Sequence, residues 1–161
     1  MLGLNFLMPS TVKIMYRSTK SYCHNVGLSC AFRQWRASSH CQYIHGYALE
    51  FKFVFEAKSL DHRNWVVDFG GLKNLKKNLE HYFDHKTLVS QDDPLIDFFT
   101  KAESLGLMQV VIVENVGCEA FAELAYKLAK DELDNLNLSD RVSVVSAEVK
   151  EHGSNSGIYL G

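Results

Sequence analysis

Strict alternation along one short segment constrains the fold of this chain more than any other feature. Between positions 45 and 56, four apolar side chains share one parity (Leu49, Phe51, Phe53, Phe55), and three charged side chains share the other (Glu50, Lys52, Glu56). A two-residue period is typical of a β-strand with one buried face and one wet face. The segment therefore predicts a strand in a sheet that is covered on one side.

Three other segments also indicate strands. Within residues 20–34, apolar side chains fall at even positions, namely Tyr22, Val26, Leu28, Cys30 and Phe32. The run MQVVIVEN at 108–115 is typical of a buried strand. The run at 142–151 predicts another strand, followed by a turn at 152–156 and a closing strand, GIYL.

Two segments have the helical period instead. Leucines and aromatic residues recur at helical spacing after Asp68, which is placed to cap the first turn, and a second helix is predicted at 118–135. The stretch 86–93 is expected to be a loop. The order β-β-α-β-α-β-β predicts an α+β fold whose helices cover one face of a largely antiparallel sheet.

Length and charge limit the class of protein. With 161 residues, 47% of them hydrophobic, the chain fits one domain. A net charge of −2 argues against a nucleic-acid partner. The four cysteines include no CxxC pair and are expected to be reduced in a cytoplasmic protein. Residues 1–14 are expected to be a loose extension, too short to span a membrane, before a domain at 15–161, and Met15 is a candidate natural start.

Several polar residues interrupt the apolar pattern. His45 and Tyr47 share the parity of the buried phenylalanines, and Glu151 ends an apolar row, which places its carboxylate at the rim, in a pair, or against a donor ligand. Cys41 precedes His45 by four residues and is either a small hydrophobe or a base beside an imidazole. The adjacent Asp84 and His85 suit general acid–base work.

Five motifs follow one another in a characteristic order. They are C-x3-H-G at 41–46, WVVDFGGLK at 65–73, FDHKTL at 83–88, EN-x3-E at 114–119 and VKEHGSNSGIYLG at 149–161. Over residues 20–161 the chain resembles the 6-pyruvoyl-tetrahydropterin synthase family. The short spacing from cysteine to histidine resembles its bacterial branch, the 6-carboxy-tetrahydropterin synthases of the queuosine pathway.

The resemblance implies a fold and an assembly. The tunnelling fold has a four-stranded antiparallel sheet with two helices on one face, three subunits close a barrel, and two barrels stack into a homohexamer. The family's substrate is 7,8-dihydroneopterin triphosphate, bound where subunits meet.

The resemblance also implies roles for single residues. Cys41 would be the base, Asp84 with His85 would handle the second proton transfer, and Glu151 would accept hydrogen bonds from the amino and ring N–H groups of the pterin. Glu119, Tyr47 and Arg33 are further candidates for substrate binding. Arg33 and its neighbour Arg36 could hold an anion, although arginines in loops usually face water.

One departure concerns the metal. The family binds zinc with three histidines, and the equivalent positions here hold Phe32, His45 and Tyr47. Only His45 remains a metal-ligand candidate, so the sequence does not predict that zinc is retained. A strained set of His40, Cys41 and His45 is the alternative, and Tyr47 could replace the metal in part as a hydrogen-bond donor.

Three hypotheses for function remain open. The first is a lyase acting on 7,8-dihydroneopterin triphosphate by acid–base chemistry. The second is a metal-free enzyme with aldolase-like or epimerase-like activity on dihydroneopterin. The third is a hexamer that binds a pterin or purine without turning it over.

Overall fold

The computed structural model describes residues 15–161, and the expected extension at 1–14 lies outside them. The strands are β1 (Tyr16–Tyr22), β2 (Ser29–Phe32), β3 (His45–Ala48), β4 (Glu50–Ala57), β5 (Lys86–Ser90), β6 (Val110–Val113), β7 (Val142–His152) and β8 (Asn155–Leu160). The helices are α1 (Lys73–Phe83), α2 (Ile96–Ser104) and α3 (Cys118–Asn135). Among these described helices, none is both long and apolar enough to cross a membrane.

The strands form two sheets. An antiparallel sheet has the order β1-β4-β7-β8, and a mixed sheet has the order β3-β2-β5-β6. In the mixed sheet β2 pairs antiparallel with β3 and parallel with β5. The four-stranded antiparallel sheet confirms the predicted α+β fold class, with a third helix and a second sheet that the sequence did not predict.

The core lies between the antiparallel sheet and the helices. Phe51, Phe53 and Phe55 on β4 are fully buried, as the alternation predicted. Phe83 at the end of α1 lies 4.8 Å from the ring of Phe51 and 5.4 Å from that of Phe121 on α3, measured between centroids. Each such side chain contributes about 1.5–3 kcal/mol through burial.

The predicted strand at 45–56 is in fact two strands in different sheets. β3 pairs with β2, whereas β4 pairs with β1 and β7. The change occurs at Leu49, which is fully buried and donates its backbone N–H to the carbonyl of Leu28 at 2.9 Å. The side-chain alternation continues through Leu49, and for this reason the sequence did not reveal the change.

The predicted strand at 20–34 is also wrong in detail. It is divided by a short 3-10 turn at His24–Val26, after which Gly27 adopts a φ of +83°. Val26 is exposed, although its parity predicted burial. A glycine tolerates this left-handed conformation, so the chain can leave the antiparallel sheet and enter the mixed one.

The expected loop at 86–93 is wrong as well, because most of it is β5. Four of the five side chains of β5 are buried, so the strand shows no alternation. β6 corresponds to the predicted strand at 108–115, but it is an edge strand with Ile112 exposed, not a buried one.

Asp68 does not cap α1. Its carboxylate accepts a hydrogen bond from the backbone N–H of Gly70 at 2.9 Å and so caps the 3-10 turn Phe69–Gly71. α1 begins only after that turn, with Leu72 at the capping position.

Candidate functional site

One cavity lies where the two sheets meet the beginning of α3. Its volume is about 550 Å³, which suits a small organic molecule. The residues that line it are Phe32, Gln34, Cys41, His45, Gly117, Cys118, Glu119, Glu151, Ser154, Asn155 and Ser156. Four candidates from the sequence, Cys41, His45, Glu119 and Glu151, are therefore brought together.

Cys41 is positioned by the loop between β2 and β3. It lies in a short 3-10 turn, His40–Gln42, whose capping Ser39 accepts the backbone N–H of Cys41. The carbonyl of Cys41 accepts the N–H of Gln34 at 2.9 Å, which closes the loop on itself. The thiol is half-buried at the cavity wall, whereas His40 is exposed and does not line the cavity.

The residues at the expected metal position do not fit zinc. Phe32 is buried, and its ring lies 4.8 Å from the ring of His45. The Nδ1 of His45 donates to the carbonyl of Tyr43 at 2.8 Å, which leaves Nε2 as the free acceptor. Among residues 15–161, no three side chains of His, Cys, Asp or Glu are grouped so that they could hold a metal ion.

Tyr47 packs against this aromatic wall without lining the cavity. Its ring lies 5.7 Å from that of His45 and 6.3 Å from that of Phe32. Burial raises the pKa of Tyr47, and the charges of Glu151 and Cys41 raise it further. The hydroxyl therefore remains a hydrogen-bond donor at neutral pH.

Glu151 reaches the cavity because β7 is irregular. The register with β4 shifts near Val144, so Ser143 is exposed whereas Ala147 and Val149 are buried. The apolar row assumed from the sequence is thus correct only after this bulge. A second shift, between Lys150 and His152 against β8, leaves Glu151 outside the ladder, and bulges commonly redirect a side chain in this way.

The first turn of α3 brings a second thiol to Glu151. Burial, together with the nearby charges of Glu151 and Glu119, raises the pKa of Cys118 to about 12, and the backbone N–H of Gly157 opposes them. Cys118 is therefore a neutral thiol near the carboxylate. No sequence pattern indicated this role, although Cys118 lies inside the EN-x3-E motif.

The side chain of Arg33 pairs with an aspartate outside the cavity. Its Nε and Nη2 donate to the two carboxylate oxygens of Asp93 at 2.8 and 2.7 Å, and Arg33 does not line the cavity. The adjacent Gln34 does line it and donates its amide to the carbonyl of Val116 at 3.2 Å. The Arg33–Asp93 pair therefore anchors the loop that carries Gln34, a role that the sequence did not indicate.

Asp84 and His85 are paired, but they lie away from the cavity. The Nδ1 of His85 lies 2.5 Å from Asp84 Oδ1, and His85 has a φ of +55°. The backbone N–H of His85 donates to Ser29, at the opposite end of β2 from Phe32, about 10 Å along a strand. Within one chain, the pair does not join Cys41.

The fold and the cavity define an α+β protein with an acidic, thiol-bearing cavity of a size that suits a small organic molecule. The chain belongs to the 6-pyruvoyl tetrahydropterin synthase family, because the family profile with that description matches residues 23–161. This confirms the resemblance found in the sequence.

Comparisons with individual proteins agree with this assignment to the family. The 6-carboxy-5,6,7,8-tetrahydropterin synthase of Aquifex aeolicus (strain VF5) is 26% identical over 135 residues, which cover 83% of this chain and 83% of that protein. The protein of that name from Rickettsia bellii (strain RML369-C) is 39% identical over 54 residues, 33% of this chain and 39% of that protein.

Solved structures confirm the fold. An uncharacterized protein from Wolinella succinogenes superposes with a TM-score of 0.76 at 19% identity, covering 92% of this chain and 99% of that chain. The 6-pyruvoyl tetrahydropterin synthase of Plasmodium vivax superposes with a TM-score of 0.68 at 14% identity, covering 91% and 97%.

Proposed function

We propose that this protein is a tetrahydropterin-synthase-like enzyme that acts on the side chain of a 7,8-dihydroneopterin compound by acid–base chemistry. The observation that carries the proposal is that Cys41, in the loop between β2 and β3, and Glu151, on β7, line one cavity although they are remote in sequence. Family membership supports a tetrahydropterin-synthase-like activity.

Glu151 is proposed to bind the heterocycle. A carboxylate accepts two parallel hydrogen bonds from the adjacent amino and ring N–H groups of a pterin, a geometry that gives both affinity and orientation. The neutral thiol of Cys118 lines the same cavity as this carboxylate. Glu119, on the same helical turn, offers a further acceptor.

Cys41 is proposed to be the base. As a thiolate, it would take the proton from the side-chain carbon next to the ring. The electron pair of that C–H bond moves toward the neighbouring ring C=N bond, whose nitrogen takes up a proton. This step balances as an isomerisation and leaves a neutral thiol that must lose its proton again.

A second copy of the chain is proposed to complete the site. Asp84 and His85 do not line the cavity that holds Cys41, so a homohexamer of the family type would be needed to bring them to the substrate. β1 and β8 are edge strands of the antiparallel sheet, and β8 exposes Ile158 and Leu160. Such edges favour pairing between chains.

A metal-free variant of this activity, of the aldolase or epimerase type, is the second candidate. It is favoured by Phe32 and Tyr47, because their side chains leave no three-ligand set around His45 among the residues that the structure describes. Proton transfers next to an imine can proceed with side chains alone.

Binding and product analysis test the proposal. Glu151→Gln should weaken binding of dihydroneopterin about 100-fold, because a charged acceptor is lost. Glu148→Gln, on the same strand but outside the cavity lining, is the matched control and should stay within about twofold.

Cys41→Ala should retain binding and lose turnover, measured as triphosphate, acetaldehyde or glycolaldehyde released. Wild-type affinity in Glu151→Gln would contradict the proposal. Binding by the wild type without any product would support the non-catalytic hypothesis instead.

A further inference from the structure

We propose that Gln34 is a positioning residue that holds the thiol of Cys41 at a fixed place in the cavity. The inference rests on the proposed function, in which Cys41 is the base, and it adds a residue that neither the sequence pattern nor the resemblance indicated. Gln34 acts through the main chain of the loop that carries Cys41 and through the segment that leads into α3.

The loop that carries Cys41 has little regular structure of its own. Between β2 and β3, residues 33–44 contain one short 3-10 turn, His40–Gln42, and the side chains at 38–40 are exposed. Exposed segments with few buried contacts open at a low cost in free energy. Cys41 therefore needs anchors outside its own turn if it is to keep a defined distance from Glu151.

Gln34 makes the two contacts that such an anchor requires. Its backbone N–H donates to the carbonyl of Cys41 at 2.9 Å, and its side-chain amide donates to the carbonyl of Val116 at 3.2 Å. Val116 is buried, and α3 begins two residues after it, at Cys118. One residue thus connects the main chain at Cys41 to the main chain that leads into α3.

These contacts fix the side chain of Gln34. A carbonyl can only accept, so the amide nitrogen and not the amide oxygen must face Val116. The backbone of Gln34 is held as well, because its carbonyl accepts the N–H of Ala37 at 2.9 Å and the preceding Arg33 pairs with the buried Asp93. A side chain that is already ordered loses little conformational entropy when substrate binds.

The contact with Val116 matters because the cavity wall continues from that residue. Residues 117–119 line the cavity together with Cys41 and Glu151. If the loop moves relative to α3, the distance between the thiol and a bound heterocycle changes. A displacement of about 1 Å can lower the rate of a reaction about 100-fold.

Steady-state kinetics and ligand titration of Gln34→Met test the inference on the full-length, assembled protein. Methionine is close to glutamine in size but has no donor. The kcat for 7,8-dihydroneopterin triphosphate should fall about 100-fold, whereas the Kd of 7,8-dihydroneopterin should stay within about threefold, because Glu151 is unchanged. The matched control is Gln42→Met, next to Cys41 on the same loop but outside the cavity lining, and its kcat should stay within about twofold.

Alkylation by iodoacetamide reports the position of the thiol without relying on turnover. Dihydroneopterin at about ten times its Kd should slow modification of Cys41 about tenfold in the wild type, and less than about threefold in Gln34→Met, where the thiol is displaced from the ligand. Peptide mass spectrometry distinguishes Cys41 from the exposed Cys23, which is the reference for the reagent.

The buried thiols of Cys30 and Cys118 show whether the variant is folded, because they become modified only if it opens. If Gln34→Met does not fold, Gln34→Asn replaces it. Asparagine keeps the amide but is one methylene too short for the contact with Val116, so the same split between kcat and Kd is expected.

The opposite results separate the two proposals. Wild-type kcat in the folded variant, or unchanged shielding of Cys41 by the ligand, overturns this inference and leaves the proposed function standing. An equal loss of kcat and affinity assigns Gln34 to substrate binding and also overturns the inference. If the wild type releases no product, both proposals fail.

Discussion

At the scale of single residues, the cavity depends on a carboxylate that does not line it. Asp93 is buried and accepts hydrogen bonds from Arg33 and from the backbone N–H of Leu95. Burial alone raises the pKa of Asp93, but these hydrogen bonds outweigh burial and hold the pKa below its ordinary value. The loop that carries Gln34 is therefore stabilised by an ionised pair.

Asp93→Asn should cost about 3 kcal/mol of unfolding free energy at neutral pH, because it leaves Arg33 without its counter-charge. The pKa of Asp93 is lower in the folded protein than in the unfolded chain, where it is near 4. The pair therefore stabilises the fold at pH values above about 4, and this contribution is lost as the pH falls toward the pKa of the folded state. Urea unfolding at several pH values should show the gap between wild type and variant closing below about pH 4.

Asp92→Asn is the matched control. Asp92 pairs with Arg36 in a position where the two side chains are 42% and 57% exposed, so its loss should cost about 1 kcal/mol or less. A gap for Asp93→Asn that stays constant down to low pH would contradict the assignment.

Glu132, unlike Asp93, is a buried carboxylate with neither an ion-pair partner nor a hydrogen-bond donor among residues 15–161. It lies on the apolar face of α3, is 1% exposed, and neither carboxylate oxygen finds a hydrogen-bond partner within residues 15–161. Glu132→Met should therefore raise the unfolding free energy by about 1–3 kcal/mol. Glu123→Met, on the exposed face of the same helix, should change it by about 0.5 kcal/mol or less. A destabilised Glu132→Met protein would show that the carboxylate has a structural partner.

At the scale of elements, α3 and β8 meet without intervening side chains. A Cβ on Gly157 would lie 2.5 Å from the backbone nitrogen of Glu119 and 2.6 Å from the carbonyl carbon of Cys118. Real Cβ contacts do not become this short, so the contact requires glycine. This close approach places Cys118 and Glu119 in the cavity wall.

Gly157→Ala should destabilise the protein by about 2–3 kcal/mol or more and weaken pterin binding, because the two backbones must separate. Gly153→Ala in the turn between β7 and β8 is the control, since a Cβ there meets nothing within 4 Å. Thermal unfolding and ligand titration of both variants measure the effect. Equal stability of the two would show that the contact can relax without cost.

Helices and strands with a clear hydrophobic period could be predicted from the sequence. Strands whose pairing partners are remote in sequence could not. α3, β4 and the strand beginning at Val142 follow from one-sided burial. β5 is buried on both faces, and the change of sheet at Leu49 depends on pairing with strands that are remote in sequence. α2 was not predicted, although it packs on β5 and β6, its neighbours in the chain. The same division applies to the site: Cys41 and Glu151 broke local patterns, whereas the contacts of Cys118 and Asp93 arise only from tertiary structure.

At the scale of the whole molecule, the cavity and the Asp84–His85 pair are separate in one chain. The proposed assembly would join them across subunits. Cys41→Ala and His85→Ala should each be inactive alone, and a co-refolded mixture should recover about one quarter of wild-type activity, because each subunit type supplies what the other lacks. No recovery in a mixed hexamer would place both residues in one subunit's site or exclude a role for His85.

Replacing Ile158 and Leu160 together by lysine tests the assembly itself. Both side chains are exposed on the edge strand β8, so the monomer fold should survive while charge prevents edge pairing. Light scattering should report a smaller species, and turnover should fall with it. Wild-type mass with normal activity would exclude this edge from the interface.

The contact at Gly157 has a consequence for how the family can diversify. Where backbone rests on backbone, the depth of the cavity is independent of side-chain identity. Substitutions at Phe32 or Gln34, which line the cavity, can then change its chemistry without altering that depth. The chemistry of the cavity can therefore change through single substitutions in its lining while its depth stays the same.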